Sequence, residues 1–161
     1  MIIYIKNIIN KFLRIFGFRI SKINDTDELI KIYKYKDYNE YKETQIFYNK
    51  KKLHHIWADE SSLLKISDFI KENINKKEIK GLCHGSRNGF EQEFFNYNIT
   101  NSNVIGTDIS ETAKDFKNSV EWDFHEINEN WINNFDFVYT NSLDQSYDPK
   151  LALTVWLQHR K

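Results

Sequence analysis

The sequence predicts an α/β fold in which short parallel strands alternate with helices. Two observations indicate this class: apolar runs of strand length recur between residues 79 and 142, and each is followed by a polar or amphipathic segment. Strands separated by helical crossovers pair in parallel through right-handed connections. With 161 residues, of which 40% are hydrophobic, the chain is long enough to bury the core of one such domain.

Charge is divided unevenly along the chain. Residues 1–80 hold 17 basic and 11 acidic side chains, whereas residues 81–161 hold 6 and 12. This division predicts a basic N-terminal surface and an acidic C-terminal domain. The alternative is a polar surface on which the charges are unevenly distributed without functional consequence. An acidic domain repels phosphate, so nucleic acid is not an expected partner. The single Cys83 excludes an internal disulfide and favours a reducing, cytoplasmic compartment.

The N-terminal extension, residues 1–57, is predicted to be basic and helical. Its first 24 residues contain five basic side chains and no acidic one, with apolar residues near helical spacing. Such a helix either lies on an anionic membrane surface through residues 1–20, making the protein membrane-peripheral, or docks on its own domain. The lysines exclude a membrane span, which needs about 20 consecutive apolar residues. Residues 25–52 show no clean period and predict irregular structure with short helices.

The predicted domain, residues 58–161, opens with a helix over residues 58–74. Asp59 or Ser61 can cap its first turn. Its predicted apolar face consists of Leu63, Leu64, Ile66, Phe69, Ile70 and Ile74.

Four strands and three further helices follow. The strands are predicted at 79–85, 103–108, 120–126 and 135–142, and the helices at 87–97, 110–118 and 148–160. Ser110 and Glu111 suit the start of the second of these helices, and Pro149 suits the first turn of the third. Parallel sheets bind ligands beyond the carboxyl ends of their strands. The stretch "GLCHGSRNG" lies at that place, between the first strand and the helix that follows it.

This stretch resembles the glycine-rich turn of the class I, Rossmann-like S-adenosylmethionine-dependent methyltransferases, a similarity that covers about residues 79–161. Gly85 and Gly89 are retained, whereas Arg87 stands where a middle glycine is usual and Cys83 where an acid is common. The resemblance implies a sheet of order 3-2-1-4 and S-adenosylmethionine as cofactor. It also implies cofactor contacts at the turn, made by Cys83, His84, Gly85, Ser86 and Gly89. A tight turn without a ligand explains the same glycines.

The resemblance implies further cofactor contacts at the ends of the other strands. Asp108 ends the second strand, where the family places an acid on the ribose hydroxyls; it could also cap the next helix. Ile109 is expected to pack on the adenine. Asp123 is expected to bind the adenine amino group, with Phe124 packing beside it, although a loop aspartate facing water fits equally well. Asn141 and Ser142 follow the fourth strand and are expected near the sulfonium.

Other motifs in the sequence are weaker indications of function. A dinucleotide enzyme also places an acid after the second strand, but "HGSRNG" is not G-x-G-x-x-G. The five histidine and cysteine candidates show no recognised ligand spacing, so no metal site is predicted; they are His54, His55, Cys83, His84 and His125. Cys83 is not expected to be a nucleophile, because its neighbour His84 points to the opposite face of a strand.

The chain is short at its C-terminal end relative to this family, which has seven strands where four are recognisable here. The fourth strand would then lie at an open edge, so the chain is a fragment, a degenerate member, or covered there by a partner such as a second copy. The resemblance implies methyl transfer to oxygen, nitrogen or carbon, with no catalytic base identified. The basic leader resembles those of surface-glycan enzymes, which suggests a glycan, a lipid-linked sugar or another small-molecule acceptor. The alternative is a non-catalytic, truncated Rossmann-like module that serves association.

Overall fold

The computed structural model describes residues 34–161, so the predicted amphipathic helix of residues 1–24 lies outside the described residues. Tyr35–Lys161 form one compact unit. Its helices and strands, in chain order, are α1 Tyr38–Lys51, α2 Glu60–Asn73, β1 Ile79–His84, α3 Phe90–Asn98, β2 Ser102–Asp108, β3 Ser119–Glu121, β4 Phe137–Thr140 and α4 Pro149–His159. Three short 3-10 helices lie at Glu111–Asp115, Glu129–Trp131 and Leu143–Gln145.

The strands of the described residues form one parallel sheet with the order β3-β2-β1-β4. This confirms the predicted α/β class and the strand order. The register aligns His84 at the end of β1 with Thr107 on one side and Thr140 on the other. Gly85, which follows β1, and Asp108, the last residue of β2, therefore lie at the same edge of the sheet.

Two hydrophobic clusters form the core. One contains Leu63 and Ile70 of α2 together with Cys83, Phe95 and Val104. The other is formed by α4, which buries Ala152, Val155, Trp156 and His159 at helical spacing; the first three pack with Phe124. The sheet thus has helices on both faces, and apolar burial of this kind stabilises a domain by roughly 25 cal/mol per Å² of apolar surface.

Helix α2 agrees with its predicted span but not with all of its predicted face. Asp59 caps it by accepting a hydrogen bond from the Ser62 amide at 2.8 Å. Leu63 and Ile70 are buried, and Ile66 and Ile74 pack against the same cluster. Leu64 and Phe69, which the sequence assigned to the apolar face, are exposed. The buried face consists of Leu63, Ser67 and Ile70, at positions i, i+4 and i+7. This face is narrower than the predicted one, and Leu64 and Phe69 lie outside it.

Helix α1 confirms the helical character predicted for the N-terminal extension, but it is one regular helix of 14 residues where irregular structure with short helices was expected. Asp37 caps it, accepting from the Glu40 amide at 2.9 Å, and Lys50 and Lys51 lie in its last turn. Its buried residues are Tyr41 and Asn49 rather than aliphatic side chains. For that reason the helix shows no hydrophobic period in the sequence. It lies within the compact unit, although the sequence pattern predicts that it belongs to the extension.

Three predicted elements are shorter than expected, and the strand predicted over 135–142 spans only Phe137–Thr140. The strand predicted over 120–126 ends at Glu121, because Asp123 starts a turn by accepting from the His125 amide at 2.9 Å. The helix predicted over 110–118 is a five-residue 3-10 helix capped by Ser110. It is followed by Asn118 in a left-handed conformation, φ 54°, which ends the segment before β3.

The segment just before β4 pairs with the residues that follow α4. Arg160 forms a parallel bridge with Phe135, and the Lys161 amide donates to the Phe135 carbonyl at 2.9 Å. Between residues 34 and 161, no helix combines the length and the apolar character that crossing a membrane requires.

Candidate functional site

The bend after β1 depends on Gly85, whose backbone is left-handed with φ 69°. The Ser142 hydroxyl donates to the Gly85 carbonyl at 3.0 Å. A Cβ at Gly85 would lie 2.6 Å from the Cβ of Ser142, far inside contact distance. The close approach that requires a glycine is therefore an approach to the chain's own segment after β4.

The remainder of the bend is held by backbone hydrogen bonds. The Ser86 amide donates to the Thr107 carbonyl, and the Gly89 amide donates to the Ser86 carbonyl, each at 2.9 Å. Gly89 is also left-handed, φ 78°, and stands directly before α3. Ser86 is buried against Gly106 of β2, where a Cβ would lie 2.3 Å from the Ser86 hydroxyl oxygen. Bend and sheet thus pack without space for larger side chains.

Asp108, at the tip of β2, faces this bend. Its Oδ2 accepts from the Arg87 amide at 3.1 Å, and its Oδ1 accepts from the Ser110 amide at 2.9 Å. A third donor comes from α1, since Nδ2 of Asn49 lies 2.7 Å from Oδ1. The residue is only 7% exposed. Acid and bend therefore lie side by side at the carboxyl edge of the sheet, in a place that we call the crevice, and Asn49 of α1 covers the acid there.

The electrostatics of Asp108 follow from this environment. Burial raises the pKa of Asp108, while the donors from Ser110, Arg87 and Asn49 act in the opposite direction. Asn49 also accepts from the Thr112 hydroxyl at 2.9 Å, so its amide is fixed from both sides. A ligand hydroxyl that donates to Oδ1 must therefore replace the Asn49 or the Ser110 donor, whereas Oδ2 accepts only from the Arg87 amide.

Asp123 lies on the loop after β3 and is buried, not facing water. Its Oδ2 accepts from the Tyr38 hydroxyl of α1 at 2.6 Å, and its Oδ1 accepts from the His125 amide at 2.9 Å. Nδ1 of His125 lies 2.7 Å from the same Oδ1. Burial alone would raise the pKa of Asp123, but the hydrogen bonds from His125 and Tyr38 outweigh burial and hold it below its ordinary value. Both carboxylate oxygens are thus engaged within the chain.

Cys83 and His84 point to opposite faces of β1. Cys83 is buried in the cluster with Phe95 and Val104, and burial raises the pKa of its thiol. His84 lies on the other side, with its ring 5.3 Å from that of Trp156 and Nδ1 2.8 Å from the Thr107 hydroxyl. Burial, reinforced by the charge of His159, lowers the pKa of His84 to about 3. Both side chains belong to the core rather than to the crevice.

The predicted site residues are therefore only partly brought together. The bend contains Gly85, Ser86 and Gly89, and it is contacted by Asp108 and Ser142. Phe124 lies 3.6 Å from the position of a Gly85 Cβ. Ile109 is half-buried and Asn141 is exposed; neither side chain is tied to the bend by a hydrogen bond within the described residues.

Sequence reasoning missed the residues of α1 that cover the crevice. Asn49 contacts Asp108, and Tyr38 contacts Asp123, although both lie in the segment expected to be irregular. The signal that could have revealed α1 is the pair Asp37 and Glu40, a side-chain cap followed three residues later by glutamate. No sequence signal identifies Asn49 as the partner of a carboxylate 59 residues away.

Comparisons of the chain with models of protein families, with curated proteins and with solved structures found no match. In the described part of the chain, no group of three or more histidine, cysteine or acidic side chains is arranged to hold a metal ion.

Proposed function

We propose that residues 79–161 form the cofactor-binding part of a class I, S-adenosylmethionine-dependent methyltransferase. The observation that carries this proposal is the shared crevice of the acid and the bend. Asp108 Oδ2 lies 3.1 Å from the Arg87 amide, between Gly85 and Gly89. The crevice lies at the carboxyl ends of β1 and β2, where parallel sheets bind ligands.

In this proposal Asp108 accepts from the two ribose hydroxyls of the cofactor. Hydrogen bonds to a charged group contribute about 1.5–3 kcal/mol each, which suffices for selective binding of an adenosyl compound. The bend lies against the methionine part, and methyl transfer then needs mainly alignment of the acceptor with the sulfonium. A glycan, a lipid-linked sugar or a small molecule is the proposed acceptor.

Helix α1 must release Asp108 before the ribose can bind. The Asn49 amide lies 2.7 Å from Oδ1 and would occupy the position of one hydroxyl. The exchange replaces one hydrogen bond to the carboxylate by another, so its net cost is the loss of the contacts between Asn49 and its own partners. Cofactor binding is therefore expected to compete with the closed position of α1.

A non-catalytic module is the second candidate, and the closed crevice favours it. The carboxylates of Asp108 and Asp123 are both satisfied by donors within the chain, and Gly85 is explained by Ser142. A Rossmann-like domain whose ligand site is filled by its own helix could serve association alone.

Calorimetric titration of the full chain with S-adenosylmethionine separates the two candidates. The methyltransferase proposal predicts binding heat with one site per chain. A folded protein, verified by circular dichroism, that gives no heat at millimolar cofactor would overturn it and favour the module.

A further inference from the structure

Three side chains on the loops after β3 and β4 form a continuous hydrogen-bonded chain. The Ser146 hydroxyl lies 2.6 Å from Nε2 of His125, and Nδ1 of that ring lies 2.7 Å from Asp123 Oδ1. Asp123 and His125 are buried, whereas Ser146 is half-buried, so the chain runs from the interior toward the surface.

The hydrogen bonds fix the direction in which the protons point. Asp123 accepts from the Tyr38 hydroxyl and from the His125 amide, so its oxygens act as acceptors. Nδ1 of His125 therefore carries a proton, and in the neutral imidazole Nε2 presents its lone pair to Ser146. The Ser146 hydroxyl then donates to Nε2, which is the arrangement of a nucleophile, its base and the group that orients the base.

We propose that Ser146, His125 and Asp123 form a nucleophilic triad that hydrolyses a carboxylic ester with uncharged or cationic substituents. Ser146 is the nucleophile, His125 is the general base, and Asp123 is a positioning residue that holds the imidazole. This activity does not depend on cofactor binding. It uses Asp123 within the chain, so the adenine contact that the resemblance gives to Asp123 would have to come from another group.

The reaction balances with water as the second reactant. Ser146 Oγ bonds to the ester carbonyl carbon while its proton moves to Nε2 of His125. The carbon–oxygen bond to the alcohol then breaks, and the proton passes from Nε2 to the leaving alkoxide. Water attacks the acyl-serine in the same way, which releases the acid and restores both side chains.

The surroundings of Ser146 determine the substrate class. The rings of Tyr41 and Tyr147 flank His125, with centroids at 5.7 and 4.2 Å, and provide an aromatic, weakly polar wall. Asp123 lies 2.7 Å from Nδ1 of His125, and the acidic residues Asp144 and Asp148 stand two residues before and after Ser146. Negative charge near the hydroxyl disfavours an anionic ester. The Tyr147 amide, which follows the nucleophile, has no hydrogen-bond partner among the described residues and is free to bind the carbonyl oxygen.

Labelling with a fluorophosphonate probe tests the triad in the full chain. The serine oxygen displaces fluoride from phosphorus, and mass spectrometry locates the adduct. The expected result is modification at Ser146, at least about 100-fold slower in His125→Gln and at least about tenfold slower in Asp123→Asn. His54→Gln, an exposed histidine outside the relay, is the matched control and should label at the wild-type rate.

Two results would overturn the proposal. One is the absence of an adduct on Ser146 in folded wild-type protein under conditions that label a reference serine hydrolase, since a purely structural relay predicts this. The other is labelling of folded His125→Gln at the wild-type rate. The wild-type experiment is decisive even where a variant fails to fold. The probe reacts at Ser146 and not at Asp108. Calorimetry with S-adenosylmethionine therefore tests the proposed cofactor binding independently of the triad.

Discussion

At the scale of single residues, Gly85 controls the bend on which the crevice is built. Its φ is 69°, and a Cβ added at this position would lie 2.6 Å from the Ser142 Cβ, which leaves no room for a side chain. Gly85→Ala is therefore expected to lower the free energy of unfolding by more than the roughly 1–3 kcal/mol that left-handed strain alone costs. Urea denaturation followed by circular dichroism measures this loss.

Gly89→Ala is the matched control for this prediction. Gly89 has a similar φ of 78°, but the nearest atom to its Cβ position is Nε2 of the buried Gln92 at 2.9 Å, a longer approach than the 2.6 Å at Gly85. Gly89→Ala should therefore lower the free energy of unfolding by less than Gly85→Ala does. Equal losses in both variants would show that the contact with Ser142 is not what constrains Gly85.

At the scale of elements, α1 is the cover of the crevice, and Asn49 is its main contact. Asn49→Ala removes the hydrogen bonds to Asp108 and Thr112 and should lower the free energy of unfolding by about 1–3 kcal/mol. Because the same change frees Asp108, we expect S-adenosylmethionine to bind several-fold more tightly. Thermal unfolding and calorimetry measure the two effects.

Lys50→Ala provides the comparison on the same helix. Lys50 pairs with Glu111 at 2.5 Å, but both side chains are about half exposed, so the pair should contribute little to stability. Its removal should leave cofactor affinity unchanged. Weaker cofactor binding by Asn49→Ala would mean that α1 is part of the binding site rather than its cover.

The elements also show how far the sequence predicts the structure. The spans of β1, β2, α2, α3 and α4 follow from apolar periods, caps and Pro149, because these signals are local. Helix α1 could not be predicted from its apolar pattern, since it buries Tyr41 and Asn49.

The candidate site was predictable only where strand order determines it. The proximity of Asp108 to the bend follows from parallel pairing of β1 and β2. Its contact with Asn49 and the relay from Asp123 to Ser146 depend on tertiary packing between distant segments. No local pattern in the sequence encodes such contacts.

At the scale of the whole molecule, buried histidines should make the domain sensitive to acid. Burial and the nearby His159 lower the pKa of His84 to about 3, and burial lowers the pKa of His159. In the unfolded chain the pKa of histidine is about 6.5. Between the folded and unfolded pKa values the unfolded state binds more protons. The free energy of unfolding therefore falls as pH drops, by up to about 1.4 kcal/mol per pH unit for each histidine.

His84→Phe should reduce this slope between about pH 6.5 and 4.5, because the ring packed on Trp156 is kept and the titrating group is lost. Burial raises the pKa values of Asp108 and Glu91. Both acids titrate in wild type and in His84→Phe, so their contributions cancel when the two slopes are subtracted. His54→Phe, at an exposed position, should leave the slope unchanged. Parallel slopes for wild type and His84→Phe would contradict the role given to His84.

The most direct test of the crevice is calorimetric titration with S-adenosylmethionine of wild type, Asp108→Asn and Asp115→Asn, each verified as folded. Asp115 is an exposed acid on the segment after β2 and carries the same substitution outside the crevice. We predict a dissociation constant at least about tenfold higher for Asp108→Asn, since hydrogen bonds to a charge contribute about 1.5–3 kcal/mol, and wild-type affinity for Asp115→Asn. Equal affinity of Asp108→Asn and wild type would contradict the proposed role of the crevice.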